Sequence, residues 1–269
     1  MQNQTYSNWE LIIVDDCSND SLQVQQLLKT LNDSRIRYFR HATNLNGAQA
    51  RNTGLKECNG EYVAFLDSDD TWHEQKLSVQ LQQLLATSNP QNSFLYGALQ
   101  KIYSGKKDRD CLLPERGKKP TESVSDYLFV YKGLMQTSTF FLPATLAKRI
   151  AFNPNLKRHQ DYDFVLRAEH LGVEFYFTEQ PLCSWICLAG EENVSKKGCK
   201  LAFAIEWFKE YQQYMTSTGR DAYLSKQMFY IAVKSNQLID YYRFLGREFG
   251  VVKLVKVVLA NIQFVVKKG

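Results

Sequence analysis

The pattern in this chain best suited to chemistry is Asp67-Ser68-Asp69, two carboxylates that directly follow the apolar run 62–66 (YVAFL). Carboxylates at this spacing can reach one divalent cation, and Mg²⁺ or Mn²⁺ commonly joins such oxygens to those of a phosphate. A cation here would neutralise a departing diphosphate. The alternative is a solvated acidic turn that caps the next helix, and for an Asp-x-Asp taken alone this alternative is favoured.

A second acidic pair, Asp15-Asp16, follows another short apolar run, 10–14 (ELIIV). One of its carboxylates could accept hydrogen bonds from a nucleobase N–H or a ribose hydroxyl, whereas the alternative is that Asp16 caps the following turn. Ligands of open α/β sheets bind at the carboxyl ends of strands. Two acidic strand ends in one sheet therefore indicate a binding site.

Strands and helices alternate in the part of the chain that must position these carboxylates. The predicted strands are 10–14, 36–39, 62–66, 92–99, 137–142 and 174–177, and the predicted helices are 21–31, 47–58, 77–85 and 160–171. The alternation indicates a largely parallel sheet, in which ELIIV is a strand buried on both faces. The polar, turn-rich stretch 104–120 is predicted to be a loop, and the chain from Lys200 onward is predicted to be helical.

Composition limits the class of protein. The chain has 269 residues, 44% apolar residues and a net charge of +5, which fits one large α/β domain or a domain with a helical extension. The six cysteines lack zinc or redox spacing, so we expect free thiols in a reducing compartment. The first residues lack the apolar core of a signal peptide, and no run reaches the roughly 18 apolar residues of a membrane span. We therefore expect a cytoplasmic protein.

Three stretches together resemble family 2 glycosyltransferases. They are 3–20 (NQTYSNWELIIVDDCSND), 44–77 (NLNGAQARNTGLKECNGEYVAFLDSDDTWHEQKL) and 158–177 (RHQDYDFVLRAEHLGVEFYF). The resemblance covers about residues 3–185 and implies an α/β GT-A fold over 1–195, followed by a helical extension over 196–269. It also implies that a sugar is transferred from a nucleotide sugar with inversion at the anomeric carbon.

The resemblance also implies roles for individual residues. Asp15 and Asp16 would bind the donor, with Asp16 at the nucleobase, and Arg51 would lie near the nucleotide. Asp67 would face the ribose or the metal, and Asp69 would bind the metal, which would be Mn²⁺ or Mg²⁺.

Asp161 matches the catalytic base of that family, whose usual Glu-Asp pair appears here as Gln160-Asp161. An inverting transfer needs one carboxylate to take the proton of the acceptor hydroxyl. Because Asp161 stands near a predicted helix start, the helix dipole should hold its pKa low unless burial raises it. The alternative is a helix-capping aspartate. Asp163 is predicted to be structural and paired with Arg167.

The implied partners are a nucleotide-sugar donor, expected to be a UDP-sugar, and a glycan or lipid-linked acceptor in bacterial surface polysaccharide synthesis. A nucleotidyltransferase of similar fold and an inactive fragment are the alternatives. Nucleic-acid binding is disfavoured, because the basic residues do not alternate with aromatic residues. The apolar, lysine-containing segment 251–266 (VVKLVKVVLANIQFVV) favours a helix lying on the cytoplasmic face of a membrane over one packed on the domain.

Family members usually begin with a further strand, a turn and a helix, and Met1 stands almost at the end of that helix. The resemblance therefore predicts a domain that lacks its first strand. Such a loss would leave unpaired backbone on the neighbouring strands and an open sheet edge. A misassigned start, a truncated gene and a second chain that fills the gap are all open explanations.

Overall fold

The computed structural model describes residues 1–105, 107–187 and 200–266. This part of the chain divides into two compact units. The first comprises Met1–Pro120 with residues 135–187, and the second comprises Thr121–Leu134 with residues 200–266. All the acidic residues singled out by the sequence lie in the first unit.

The first unit contains two sheets. Its strands are β1 (Leu11–Asp15), β2 (Ile36–Arg40), β3 (Tyr62–Ala64), β4 (Asp70–Trp72), β5 (Ser93–Tyr103), β6 (Cys111–Leu113), β7 (Phe141–Pro143) and β8 (Glu174–Cys187). Strands β1 and β2 form a parallel pair, in which Leu11 lies opposite Ile36. The other sheet has the order β3-β7-β5-β8-β4, and β6 pairs with β5.

The larger sheet is mixed, so the prediction of a largely parallel sheet was wrong. Strands β5 and β8 run parallel, whereas β3–β7, β4–β8, β5–β6 and β5–β7 are antiparallel. A short connection can join only antiparallel neighbours, because parallel strands need a longer crossover. The chain between β5 and β6 is such a short connection. The stretch 104–120, predicted to be a loop, therefore contains a strand and a 3₁₀ turn at Lys107–Arg109.

Five helices accompany these strands. They are α1 (Ser21–Leu31), α2 (Gly47–Glu57), α3 (Lys76–Leu85), α4 (Ala144–Ile150) and α5 (Gln160–His170). Helix α5 buries Phe164 and Ala168 completely, whereas Leu171, the last residue of the predicted helix 160–171, lies just past its end and is 46% exposed. Phe164 stacks on Phe152 with ring centroids 4.5 Å apart. This aromatic core fixes the start of α5.

Strand β1 is less covered than the sequence predicted, and helix α1 also leaves apolar side chains exposed. Residues 11–14 are half-buried, whereas a strand buried on both faces was expected. The apolar side chains Leu22 and Leu27 of α1 are 72% and 57% exposed. The reason is that β1 has β2 as its strand partner and no other described strand lies along its second edge.

Two other strands begin or end away from their predicted limits. Regular pairing of β3 stops at Ala64, so 65–66 leave the sheet before the acidic turn. The predicted strand 137–142 begins with a 3₁₀ turn, Thr137–Thr139, and only then forms β7. Both changes put polar backbone at the edge of the sheet where the acidic turn lies.

The second unit is helical, as predicted from Lys200 onward. Its helices are α6 (Leu201–Tyr211), α7 (Ser217–Ala222), α8 (Phe229–Lys234) and α9 (Leu238–Val266), with π-helical turns at Asp126–Val130 and Tyr223–Met228. Helix α9 is interrupted at Gly250, whose φ of 75° only glycine adopts easily. No helix within the described ranges has both the length and the hydropathy that crossing a bilayer requires.

Five cysteines form no disulfide, as predicted: Cys17, Cys58, Cys111, Cys183 and Cys187. The sixth, Cys199, lies outside the described residues.

Candidate functional site

Asp161 lies in the first turn of α5, and its carboxyl group is close to three polar neighbours. The hydroxyl of Thr137 donates to Asp161 Oδ1. Burial, the largest effect, raises the pKa of Asp161 to about 6, and the charge of Asp67 adds to it, while Arg51 and Thr137 oppose it. The sequence had suggested a low pKa unless burial intervened, and burial outweighs the helix start here. A carboxyl group with this pKa can take a proton near neutral pH.

Arg51 connects the acidic turn after β3 to the start of α5. Its guanidinium donates to Asp67 Oδ1 and to Gln160 Oε1, the latter at 2.7 Å. Phe152 lies beneath the guanidinium, 5.2 Å from ring centroid to Cζ. One side chain therefore holds together the acidic turn, helix α2 and the residue next to Asp161.

Gly47 explains how α2 comes so close to α5. A Cβ atom at this position would stand 3.3 Å from Arg51 Nη1 and 3.7 Å from Gln160 Oε1. Asn46 begins the helix by accepting hydrogen bonds from the backbone of Ala48 and Gln49. The absence of a side chain at Gly47 keeps the contact between Arg51 and Gln160 open.

The acidic turn contains three carboxylates, of which Asp70 is buried, Asp67 is half-buried and Asp69 is exposed. Asp70 is 7% exposed and accepts hydrogen bonds from Gln136 and Ser138 at 2.6 and 2.5 Å. Burial raises its pKa above the ordinary range. Its other oxygen, Oδ1, is buried and has no hydrogen-bond partner in the described structure. Asp69 is exposed, and its negative charge contributes to raising the pKa of both Arg51 and Asp70.

Asp15 and Asp16, predicted together as donor-binding residues, have different environments. Asp15 is 7% exposed, and its carboxylate accepts hydrogen bonds from the Ser18 backbone at 2.7 Å and from Tyr38 at 2.5 Å. Burial raises the pKa of Asp15, but the hydrogen bonds from Ser21, Tyr38 and Ser18 together hold it below the ordinary range. Asp15 is therefore the residue that closes the turn, a role that the sequence had offered for Asp16.

Asp16 faces a loop that leads toward Arg51. Its Oδ1 accepts a hydrogen bond from the Leu45 backbone at 2.8 Å and lies 2.7 Å from His41 Nδ1. The other ring nitrogen of His41 lies 2.9 Å from the hydroxyl of Thr53, on α2. Contacts thus run without a break from Asp16 through this loop to α2, which carries Arg51.

The sequence reasoning missed several residues that build this site. His41, to which no sequence pattern pointed, orients Asp16. Thr137 and Ser138 were predicted to begin the strand 137–142, and Gln136 was not singled out. A signal was present, because QTST (136–139) is a run of four hydrogen-bonding residues directly before the apolar residues of β7.

The predicted pairing of Asp163 with Arg167 is confirmed by the contacts. Asp163 is completely buried and pairs with Arg167, whose guanidinium also binds the backbone oxygen of Ala151 at 2.7 Å. Trp72 packs against the hydrophobic core and donates its N–H to the backbone oxygen of Ser138. Both residues are structural.

The site has the ligand chemistry for only part of a cation's coordination shell. Among the described residues, no group of three or more His, Cys, Asp or Glu side chains is arranged to hold a metal ion. Asp69 and Asp67 offer carboxylate oxygens, which suit Mg²⁺ or Mn²⁺. These residues fit a cation that takes its remaining ligands from water and from a bound diphosphate, and not a preformed cage.

Comparison with known proteins gives matches to sugar transferases. The model of the family described as "Glycosyl transferase family 2" matches residues 1–106. The amylovoran biosynthesis glycosyltransferase AmsB of Erwinia amylovora is 33% identical over 232 residues, which are 84% of this chain and 75% of that protein.

Solved structures with a similar fold include TarS 1–349 of S. aureus in complex with UDP-GlcNAc. Its TM-score is 0.63 at 17% identity, and the match covers 97% of this chain and 82% of that one. The mannosyltransferase PcManGT of Pyrobaculum calidifontis, in complex with GDP-Man and Mn²⁺, has a TM-score of 0.54 at 12% identity, over 97% and 73% of the two chains. At these identities the likeness shows the fold, and it confirms the predicted α/β GT-A class with a helical C-terminal region.

Proposed function

Because the chain belongs to glycosyl transferase family 2, we propose that it moves a sugar from a nucleoside diphosphate sugar to an acceptor hydroxyl with inversion. The observation that carries this proposal is the contact of Arg51 with both Asp67 and Gln160. This contact brings the acidic turn and the carboxyl group of Asp161 to one place. Family membership favours sugar transfer over the nucleotidyl transfer considered from the sequence.

In the proposed reaction Asp161 is the general base. The acceptor oxygen attacks the anomeric carbon while Asp161 takes the proton of that hydroxyl, and the bond from the anomeric carbon to the diphosphate oxygen breaks. A single displacement of this kind inverts the anomeric centre. Arg51 supplies positive charge beside the departing diphosphate, because its guanidinium stays charged at any physiological pH.

Donor binding is assigned to the loops around α2. Asp16 would accept hydrogen bonds from the nucleobase, Asp67 would face the ribose or the cation, and Asp69 would ligate the cation. Bound Mn²⁺ or Mg²⁺ would neutralise charge on the diphosphate. The mannosyltransferase PcManGT, which has a similar fold, was solved in complex with GDP-Man and Mn²⁺. In this proposal Asp15 shapes the turn and does not contact the donor, because its oxygens already bind Ser18 and Tyr38.

A UDP-sugar is the donor that we propose, since TarS was solved with UDP-GlcNAc. The proposed acceptor is a glycan or lipid-linked hydroxyl of a surface polysaccharide, in keeping with the role of AmsB in amylovoran biosynthesis. The test is a screen of nucleotide sugars with Mn²⁺ or Mg²⁺, followed by NMR of the product. We expect an α-linked donor to give a β-linked product, and an α-linked product would contradict inversion.

We also propose that the active form has one further strand between β1 and β3. Neither strand has a described partner on its second edge. Leu11 and Tyr62 nevertheless pack against the same hydrophobic cluster. Glu10, just before β1, accepts hydrogen bonds from the backbone of Asn59 and Gly60, just before β3, at 2.5 and 2.9 Å. An added strand would satisfy both edges and join the two sheets.

The test of this strand compares the chain with a form that carries one added strand segment ahead of residue 1. We expect the longer form to protect the backbone amides of β1 and β3 from hydrogen exchange and to bind UDP with Mn²⁺ more tightly. Equal protection and equal binding in both forms would refute the strand and would leave the sugar-transfer proposal standing.

Contact with a membrane surface is a proposal for α9. After Gly250, the exposed positions are Val251, Val252, Val255, Lys256 and Leu259, which recur on one face of the helix. The opposite face is buried at Val257 and Asn261. An apolar stripe that includes a lysine suits the interface of an anionic bilayer. Such contact would hold the enzyme at the cytoplasmic face, close to a lipid-linked acceptor.

Vesicle co-sedimentation tests this contact. With vesicles that contain anionic lipid, we expect Val252→Ser with Leu259→Ser to lower the bound fraction several-fold. Ile239→Ser is the matched control, since Ile239 is 75% exposed on the same helix before the break at Gly250. Equal binding of the native chain and the double variant would refute the membrane proposal.

A further inference from the structure

Residues 136–138 hold two carboxylates of the site from one side. The side chains of Gln136 and Ser138 donate to Asp70 Oδ2, and the hydroxyl of Thr137 donates to Asp161 Oδ1. Thr137 and Ser138 are completely buried. Hydrogen bonds that are shielded from water in this way hold their geometry well. One short segment therefore links the acidic turn to the start of α5.

This segment is itself held firmly by its surroundings. Trp72 donates its ring N–H to the backbone oxygen of Ser138 at 2.8 Å, and Gln80 donates to the backbone oxygen of Thr139 at 3.1 Å. The backbone of Asp67 donates to the hydroxyl of Ser138 at 3.0 Å. Because of this support, the hydroxyl of Thr137 has little freedom to move, and it holds the carboxyl group of Asp161 in one orientation.

A carboxylate that acts as a base must direct one of its two oxygens at the proton that it takes. A donor bound to the other oxygen stops the group from rotating and favours its charged form. The hydroxyl of Thr137 binds Oδ1 and the backbone of Thr137 also donates to this carboxyl group, so Thr137 sets the orientation of the group. The charged groups that act on Asp161 are Arg51, which favours ionisation, and Asp67, which opposes it.

We propose that Thr137 is a positioning residue of the sugar transfer, whose hydroxyl fixes Asp161 Oδ1 so that the carboxylate is oriented toward the acceptor hydroxyl. This inference rests on the proposed function, in which Asp161 is the base. In the transfer the proton of the acceptor ends on the Asp161 carboxylate, a bond forms from the acceptor oxygen to the anomeric carbon, and the nucleoside diphosphate leaves with the electron pair. Thr137 acts through Asp161 and touches neither substrate.

Thr137→Val tests the proposal, because valine keeps the shape of threonine and removes the donor. We expect kcat to fall about 10-fold to 100-fold while the KM for the donor stays within about 2-fold, as for a misplaced catalytic group. Thr137→Ser keeps a hydroxyl and should restore most of kcat. The matched control is Thr139→Val, since the buried hydroxyl of Thr139 donates to the backbone oxygen of Gln136 and not to Asp161.

Asp161→Asn separates a failure of this inference from a failure of the proposed function. If Asp161→Asn transfers sugar at the native rate, then Asp161 is not the base, and the inference that Thr137 positions it is refuted as well. If that variant is inactive while Thr137→Val keeps its native kcat, only the inference on Thr137 falls. In the Asp161→Asn background, Thr137→Val should cause no further loss, because the two residues act as a unit.

A second measurement does not depend on turnover. Carbon-13 NMR titration of the Asp161 carboxyl group should give a higher pKa in Thr137→Val than in the native chain, because a donor to the charged form has been removed. Thr139→Val should leave that pKa unchanged. An Asp161 pKa that is the same in the native chain and in Thr137→Val would overturn the proposal.

Discussion

At the scale of single residues, two effects compete at Asp161, and their balance decides what the carboxyl group can do. Its place in the first turn of α5 favours the charged form, whereas burial favours the neutral form. Burial is the larger effect, and the pKa rises to about 6. The sequence shows where a helix begins but not how much water reaches its first turn. The direction of the pKa shift therefore became known only from the structure.

The raised pKa leads to an expected pH profile. A general base works when it is ionised, so transfer should be lost as the pH falls through about 6, the folded-state pKa of Asp161. The acid limb of kcat/KM reports the free enzyme. We expect it near 6, and not near the ordinary aspartate value of about 4. Rates measured from pH 4.5 to 8.5 at constant Mn²⁺ test this, and a profile that stays level down to pH 5 would speak against Asp161 as the base.

Asp69 has a different expected role, which concerns the cation. Its exposed carboxylate is next to the Arg51–Asp67 pair, and Asp69→Ala should abolish the part of UDP binding that depends on Mn²⁺. Isothermal titration with and without Mn²⁺ measures that part. Asp240→Ala is a suitable control, because Asp240 is an exposed carboxylate in the other unit. If Mn²⁺ enhances UDP binding equally in Asp69→Ala and the native chain, Asp69 is not the metal ligand.

At the scale of secondary-structure elements, α3 carries a charge where a core residue would be expected. Lys76 is completely buried beside Leu77, and its ammonium donates to Gln80 and lies 4.6 Å from the ring centroid of Trp72. Burial lowers the pKa of Lys76 to about 7. Gln80 in turn binds the backbone of Thr139, so this lysine lies behind the segment that contacts Asp161.

The buried lysine should make stability depend on pH. The folded-state pKa of about 7 lies below the ordinary value of 10.5, so the unfolded chain binds the proton more tightly between these values. Stability should therefore rise with pH across that window. Lys76→Met should stabilise the protein most at pH 6.5, by on the order of a few kcal/mol, and progressively less toward pH 10.

Urea unfolding at pH 6.5 and 9.5 measures this difference. Lys29→Met is the control, since Lys29 is exposed on α1 and should leave the pH dependence unchanged. If Lys76→Met and the native chain gain the same stability between the two pH values, then the ammonium of Lys76 is not buried in the folded protein.

At the scale of the whole molecule, local sequence patterns predicted where strands and helices lie better than they predicted which distant strands pair. The runs before Asp15 and Asp67 predicted strands, and the acidic ends of both strands are found in the same unit. The direction of strands in the larger sheet was not predictable, because it depends on where distant residues such as those of β7 and β8 pair. The exposure of Leu22 was likewise unpredictable, since it depends on what covers α1 and not on helical spacing.

The same distinction explains which site residues the sequence could give. Asp69 and Asp161 stand in patterns that resemble a family, so they could be assigned from sequence. Thr137 has its role because the 3₁₀ turn before β7 and the start of α5 come together, although Thr137 and Asp161 are 24 positions apart in the chain. A hydroxyl that acts through such a contact has no local signature.

The most direct test of the central claim is sugar transfer by Asp161→Asn, with UDP binding in the presence of Mn²⁺ measured on the same sample. We expect donor affinity within about 2-fold of native and transfer reduced by about 10²-fold or more, because the variant lacks a general base. Native turnover by Asp161→Asn would contradict the claim that this carboxylate accepts the proton of the acceptor.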